Sequence, residues 1–253
     1  PGKAIRHARC VLRACGLPDV PVAEGASIAV HAVPPELQAA MDSVLTATFS
    51  ACEADSTSSE FDAPTLIRRT LEEAERPWVI TLGPLTNVAE AFVGAPELGR
   101  HVEGVVAMGG AFDVPGNLFG APLEQFDNSQ ETNLWVDPRA ARALLRALPP
   151  TTLQLVPLDA TQHVPVTPAF VSALTEHETS TSGELVRTLL QQPAIEQAIG
   201  IGQLFWWDVL AAVALLTEDV VAFEGARVTV LQHGVDVGRT VRGFGCPASI
   251  ALS

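Results

Sequence analysis

The sequence has few cysteines, few basic residues and no long hydrophobic run. Its four cysteines, at positions 10, 15, 52 and 246, form no CxxC pair and are too sparse for a disulfide-stabilised scaffold, which predicts reduced thiols in a cytoplasm. Basic residues number 15 against 29 acidic ones, so the chain is expected to bind neither nucleic acid nor an anionic membrane. No apolar run approaches the roughly 20 residues of a membrane span, so we expect no transmembrane helix, and we also expect no signal peptide. A cation or a neutral small molecule is the expected ligand.

The composition is instead that of a globular α/β protein. The 253 residues are 47% hydrophobic and 17% charged, which is too apolar for disorder and sufficient for a substantial core. Short apolar segments alternate with helical patterns. We predict strands at 27–32, 78–82, 104–108 and 152–156. We predict helices at 4–15, 64–75, 87–93, 138–147, 168–175 and 203–216.

This order favours an open, mostly parallel sheet with helices on both faces, formed by residues 1–253 as a single domain. The polar, Ser-rich segment 53–62 is interpreted as a surface loop within that domain. Towards the C terminus, segments 227–231 and 240–242 flank a glycine-bearing connection and predict a β-hairpin.

Four stretches place polar residues where strands should end, which is the edge at which open α/β sheets bind ligands. They are GPLTN at 83–87, MGG at 108–110 with the Gly116-Asn117 pair, ETNLWVDP at 131–138, and WWD at 206–208. Each also has a purely structural interpretation, as a helix cap, an ordinary glycine loop or core tryptophans.

The third stretch offers hydrogen-bonding groups at close spacing. An extended chain would project Glu131 and Asn133 to the same side, where their oxygen and nitrogen atoms suit vicinal hydroxyls. Asp137 and Pro138 are interpreted as an N-cap and the first residue of a helix. In the fourth stretch, Asp208 opens an apolar helix, where a carboxylate must be paired, hydrogen-bonded or bound to a metal.

Taken together, in this order and spacing, the four stretches resemble the inosine/uridine-preferring nucleoside hydrolase family. That family shows a GPLTN loop, a strand ending in MGG, a GN pair, a segment running into DPxAA, and a late helix opening with Asp. Further agreement comes from DVPVAEGA at 19–26, PLDAT at 157–161 and VTVLQHGVDVGRTV at 228–241. The resemblance covers nearly the whole chain.

The resemblance implies hydrolysis of the N-glycosidic bond of ribonucleosides with one bound Ca²⁺, in nucleoside salvage and purine metabolism. Carried onto this chain, it makes the Thr86 backbone carbonyl and the Asp208 carboxylate calcium ligands. It makes Asn117, Glu131 and Asn133 the residues that hold the ribose and act in catalysis. It also implies a cytoplasmic homodimer or homotetramer.

One departure from the family concerns activity. The family's Asp-rich strand end, DxDxGxDD, supplies the remaining calcium carboxylates and the general base, and it is absent from this sequence. We therefore expect a truncated chain that lacks the first strand of the fold and is inactive as it stands. An inactive ribose- or nucleoside-binding homologue is the alternative, and a generic α/β domain with another ligand is a third interpretation.

Other departures concern the nucleobase. Trp207 stands where many members have a histidine, and a purine-preferring branch also has tryptophan there. We therefore expect Trp207 to stack on a purine and Trp206 to face the core. The connection between Asn117 and Glu131 is longer than usual, and residues 32–51 show a helical pattern in place of a His-Gly-x-Asp-Gly stretch. His163 is interpreted as a surface histidine.

Overall fold

The computed structural model describes residues 2–26, 30–33, 35–53, 56–118, 127–150, 152–217 and 219–252. These residues divide into two compact units. The first takes its residues from 1–27, 34–63 and 165–205, and the second from 28–33, 64–164 and 206–253. The organisation of residues 1–253 as a single domain stays a prediction.

Twelve helices and six strands lie within the described residues. The helices are α1 Gly2–Ala14, α2 Pro35–Thr48, α3 Ala63–Glu73, α4 Thr86–Gly94, α5 Leu98–His101, α6 Thr132–Val136, α7 Pro138–Ala147, α8 Leu158–Thr161, α9 Pro168–His177, α10 Thr181–Leu190, α11 Pro193–Gly200 and α12 Trp207–Leu216. The strands are β1 Trp78–Thr81, β2 Gly104–Met108, β3 Leu153–Val156, β4 Ala222–Val230, β5 Thr240–Arg242 and β6 Cys246–Leu252.

All six strands belong to one sheet in the second unit, in the order β1-β2-β3-β6-β4-β5. The pairs β1–β2, β2–β3 and β3–β6 are parallel, whereas β4 is antiparallel to both β6 and β5. The predicted mostly parallel sheet and the predicted C-terminal hairpin are thus confirmed. The carboxyl ends of β1, β2 and β3 lie at one edge of the sheet, where the ligand site was predicted.

Hydrophobic clusters cover both faces of the sheet. Because successive strand residues point to opposite faces, Val105 and Ala107 of β2 join the cluster formed with α4 and α7, while Val106 and Met108 join the cluster formed with α12. This arrangement confirms the prediction of helices on both faces.

Most elements match their predictions, and a few do not. Strand β2 and helix α7 have the predicted bounds, and Asp137 caps α7 with Pro138 at its first position, as predicted. The helical pattern at 32–51 corresponds to α2. Of the strand predicted at 27–32, residues 27–29 lie outside the described residues and residues 30–32 form no strand. Strand β6 and helices α10 and α11 were not predicted.

The first unit contains a disulfide, which contradicts the prediction of reduced thiols for two of the four cysteines. Cys10 of α1 is bonded to Cys52, with the two Cα atoms 6.1 Å apart, and Phe49 packs beside them. The Arg6 side chain also donates to the Cys52 carbonyl at 2.6 Å. The pair forms because α1 turns Cys10 towards the segment after α2, a proximity that composition does not reveal. Cys15 and Cys246 are free thiols.

Across the described residues, no helix combines the length and the apolar character that a bilayer span requires.

Candidate active site

The candidate site is built at the carboxyl end of β2, where the chain leaves the sheet through two glycines. Gly110 has φ +97°, a conformation that favours glycine, and its N–H donates to Oε2 of Glu131 at 3.1 Å. A Cβ on Gly109 would lie only 3.2 Å from the same oxygen. The paired glycines therefore let the backbone approach the Glu131 carboxyl closely.

Glu131 is the N-cap of α6 and is 1% exposed. Its Oε1 accepts the N–H of Asn133 at 2.8 Å, and its Oε2 accepts the N–H of Leu134 at 3.1 Å in addition to that of Gly110. Burial raises the pKa of Glu131 to about 7; the three backbone N–H groups oppose that rise, and the negative charge of Asp208 adds to it.

Asn133 lies in the first turn of α6, so the prediction that Glu131 and Asn133 lie on one extended segment is wrong. They come together because an N-cap side chain accepts hydrogen bonds from the second and third amides of its helix. The Nδ2 amide of Asn133 donates to the Met108 carbonyl at 3.2 Å, which ties α6 to the last residue of β2.

Asn117 joins the same cluster. Its Oδ1 accepts hydrogen bonds from the backbone N–H and the hydroxyl of Thr132, both at 2.9 Å. The Asn117 N–H donates to the Gln130 carbonyl at 3.0 Å. Gly116 makes this approach possible, since a Cβ there would collide with the Gln130 backbone. In the long connection that follows Asn117, residues 119–126 lie outside the described residues.

Asp208 lies in the first turn of α12, close enough to Glu131 to raise its pKa. Its side chain is open to solvent, yet the surrounding protein displaces enough water to raise the pKa of Asp208 itself to about 6. The structure therefore places Asp208 near Glu131, and the site roles of Asp208, Asn117, Glu131 and Asn133 stay predictions.

The roles predicted for the two tryptophans, stacking for Trp207 and core packing for Trp206, stay predictions. Trp207 packs against the cluster that contains Met108 and Leu210, while Trp206 is half-buried at the N-cap of α12. Trp207 faces this cluster because residues three and four positions apart share a helix face, and Leu210 and Ala211 belong to the same cluster. The Trp207 side chain remains partly accessible to solvent.

Thr86 follows β1, the strand that lies next to β2 in the sheet. It is the first residue of α4, where a helical carbonyl accepts the amide four residues later, and its hydroxyl donates to Oδ2 of Asp137 at 2.9 Å. Neither Thr86 nor Asn87 caps α4, because the N-cap is Leu85. The assignment of the Thr86 carbonyl as a calcium ligand stays a prediction.

The described residues do not provide a complete set of calcium ligands. Calcium takes roughly six to eight oxygen ligands. Within the described ranges no group of three or more His, Cys, Asp or Glu side chains could hold a metal. Asp208 offers a carboxylate, whereas the oxygens of Glu131 already accept backbone N–H groups.

Two contributors to the site were missed. Asp159 and Thr240 accept backbone N–H groups of the residues that follow Gly110. The sequence analysis quoted both within motifs, PLDAT and VTVLQHGVDVGRTV, without a role for either. In the second unit, the ring of His31 also stacks on Trp135, with ring centroids 4.7 Å apart, on the helix that bears Asn133. His163 is exposed, as predicted.

Glu131 should make the stability of the fold depend on pH. Its pKa is about 7 when folded but near 4.5 when unfolded, so between these values the folded state holds a proton that the unfolded state has lost. The contribution of Glu131 to the free energy of unfolding should therefore fall by ~3 kcal/mol as the pH rises through that window, and stay constant above it.

Urea unfolding from pH 4 to 8 measures this, as the difference between the wild type and Glu131→Gln. The exposed Glu97 serves as the control. The free energy of unfolding of Glu97→Gln should change with pH in the same way as that of the wild type. If the free energies of unfolding of Glu131→Gln and the wild type changed with pH in the same way, the raised pKa of Glu131 would be contradicted.

Comparisons with known proteins agree on one family. The E. coli pyrimidine-specific ribonucleoside hydrolase RihA is 29% identical over 158 residues, which are 58% of this chain and 45% of that protein. The matched stretches span about half or less of the length of the curated relatives.

Solved structures show the same fold. An inosine-uridine preferring nucleoside hydrolase from Bacillus anthracis superposes with a TM-score of 0.82 at 22% identity, covering 99% of this chain and 80% of that one. A purine-preferring ribonucleoside hydrolase from Gardnerella vaginalis gives 0.75 at 20% identity, with coverages of 99% and 80%. Residues 2–249 match the family model described as inosine-uridine preferring nucleoside hydrolase, and the chain therefore belongs to that family.

Proposed function

We propose that the chain is a ribonucleoside hydrolase that cleaves the N-glycosidic bond, with the ribose bound at Asn117, Glu131 and Asn133. The observation that carries this proposal is the single hydrogen-bonded cluster that these side chains form at the end of β2, beside Asp208. Within the described chain, Nδ2 of Asn117 and Oδ1 of Asn133 make no hydrogen bond. One can donate to and the other accept from sugar hydroxyls.

The electrostatics of the cluster suit this reaction. Departure of the base builds positive charge on the ribose ring, which nearby carboxylates stabilise. With a pKa of about 6, Asp208 is mostly ionised at neutral pH, whereas Glu131, with a pKa of about 7, is partly protonated. Because Glu131 is buried, we assign it two roles. It holds Gly110 and Asn133 in place, and its charge contributes to the electrostatic field at the sugar.

The alternative is a catalytically inactive homologue that binds ribose or nucleosides. The occupation of Glu131 by backbone donors and the incomplete calcium shell favour this alternative. Calorimetric titration with inosine, followed by chromatography for free hypoxanthine, separates the two. Release of hypoxanthine supports the hydrolase, and binding without release supports the inactive homologue. Neither binding nor release would overturn both.

The family resemblance implies water activated by calcium, but the described residues do not complete a calcium shell. We expect the 253-residue chain to bind Ca²⁺ more weakly than micromolar, since affinity rises with the number and charge of the ligands. Isothermal titration calorimetry measures this. Micromolar or tighter binding would show that other carboxylates complete the shell.

Asn133 should matter for the sugar. Asn133→Ala removes a half-buried amide from the cluster, at a cost of ~1 to 3 kcal/mol. The kcat/KM for inosine, or the affinity if inosine is bound without turnover, should fall roughly ten- to hundredfold. The exposed Gln197 provides the control, because Gln197→Ala should match the wild type. An unchanged Asn133→Ala variant would refute the ribose assignment.

Trp207 should set a preference for purines. Indole has no titratable proton near neutrality, so Trp207 can stack on a base but not protonate it, and stacking favours the larger ring. We expect inosine, adenosine and guanosine to be preferred over uridine and cytidine, although relatives bear both purine-preferring and pyrimidine-specific names.

The inosine-to-uridine ratio measures this preference, and Trp207→Ala should reduce it roughly two- to tenfold, the loss of stacking worth ~0.5 to 1.5 kcal/mol. Because Trp207 also packs on the core, Leu210→Ala controls for the lost packing and should leave the ratio unchanged. Better binding or cleavage of uridine, or a change of the ratio in Trp206→Ala alone, would exclude the stacking role.

Location and assembly are also proposals. The sequence predicts a cytoplasmic homodimer or homotetramer. The Cys10–Cys52 disulfide opposes the cytoplasmic assignment, because disulfides persist mainly in oxidising compartments. The redox state of this pair in the native host tests the location, because reduced thiols would support the cytoplasmic assignment and a disulfide would oppose it. Light scattering of the purified chain measures the oligomeric state.

A further inference from the structure

The loop that leads from β2 to Asn117 is held by side chains from distant parts of the chain. It comprises residues 109–113 and is called here the 109–113 loop. Each of its five backbone N–H groups donates to an acceptor outside the loop. The acceptors, in order, are the Val156 carbonyl at 3.1 Å, Glu131 Oε2 at 3.1 Å, Thr240 Oγ1 at 2.8 Å, Asp159 Oδ2 at 2.9 Å and Asp159 Oδ1 at 2.8 Å.

Asp159 holds the end of the loop through hydrogen bonds to both of its carboxylate oxygens. It lies in α8, is nearly buried, and accepts the N–H groups of Phe112 and Asp113. The preceding residue, Leu158, donates its N–H to the Gly110 carbonyl at 2.8 Å. Because hydrogen bonds to an ionised acceptor are stronger and shorter than neutral ones, α8 constrains the loop at two separate points.

Thr240 holds the middle of the loop through hydrogen bonds to Ala111. Its hydroxyl accepts the N–H of Ala111 at 2.8 Å and donates to the carbonyl of the same residue at 3.0 Å, across 129 positions of sequence. Thr240 is buried at the start of β5. From the same strand, Arg242 lies 3.2 Å from the Asp113 carboxylate and 5.0 Å from the centre of the Phe112 ring.

The 109–113 loop contains Gly110, which donates to Glu131, and runs towards Gly116 and Asn117. We propose that Asp159 and Thr240 are positioning residues of the nucleoside site, which set the geometry of Glu131 and Asn117 through the 109–113 loop without touching the substrate. This inference rests on the proposed function. After Gly109, whose N–H donates to the Val156 carbonyl of β3, the loop amides have no sheet or helix partner, so these side chains select one conformation for the loop.

The test compares variants that remove the hydrogen bonds from Thr240 or Asp159 to the 109–113 loop with variants that keep these hydrogen bonds. Thr240→Val removes both bonds to Ala111, whereas Thr240→Ser keeps the hydroxyl. Asp159→Asn replaces one acceptor by a donor that faces an N–H group. Two controls match them. Thr161→Val alters a buried hydroxyl of α8 that has no hydrogen-bond partner in the described chain. Asp137→Asn alters a buried carboxylate that caps α7 outside the loop.

Amide hydrogen exchange of residues 110–113 and calorimetric affinity for inosine are the two readouts. Thr240→Val and Asp159→Asn should each speed loop exchange and weaken inosine binding by roughly tenfold. Thr240→Ser should restore both properties. Thr161→Val and Asp137→Asn should leave both at the wild-type level, even if Asp137→Asn lowers the unfolding temperature. Should Asp159→Asn fail to fold, the three threonine variants decide the test.

The outcomes separate this inference from the proposed function. If the wild-type chain binds inosine but Thr240→Val matches Thr161→Val in both readouts, the positioning role is overturned alone. Faster exchange in Thr240→Val with unchanged inosine affinity also overturns it, because the loop would then be irrelevant to the site. If the wild-type chain does not bind inosine, the proposed function is overturned, whatever the exchange rates.

Discussion

A buried carboxyl group organises the candidate site. Glu131 accepts N–H groups from the start of α6 and from Gly110 at the end of β2, and so joins two elements that the sheet alone does not hold together. Each of these donors would otherwise be buried unsatisfied, at a cost of ~1 to 3 kcal/mol. The same burial raises the pKa of Glu131 to about 7, so the group that supports the site also titrates near neutrality.

The rest of the site follows from the geometry of a parallel sheet. When β2 ends, its backbone amides lose their strand partners but remain close to the core. Glu131, Thr240 and Asp159 replace those partners with side-chain oxygens. The half-buried amides of Asn117 and Asn133 are thereby held on a rigid support, which is the condition under which a few polar groups orient a small ligand.

Much of this architecture is readable in the sequence. The buried strand β2 is an uninterrupted apolar run ending in two glycines, and α7 carries its own start signal in Asp137 and Pro138, so both have their predicted bounds. The order of motifs also placed Asn117, Glu131 and Asn133 at strand ends, where the structure groups them. Their local geometry was predicted less well, because a glutamate that starts a helix and one that continues a strand have the same spacing to Asn133.

The sequence by itself determined the family, the alternation of strands and helices, and the edge of the sheet at which the polar residues gather, since these depend on local periodicity and on motifs in order. Only the tertiary structure decided that β6 lies between β3 and β4, that Cys10 meets Cys52, that Trp207 packs on the core, and that Thr240 holds Ala111. The physical reason is that such pairings depend on how distant segments meet in space, and a contact across 129 positions leaves no periodic trace in either segment.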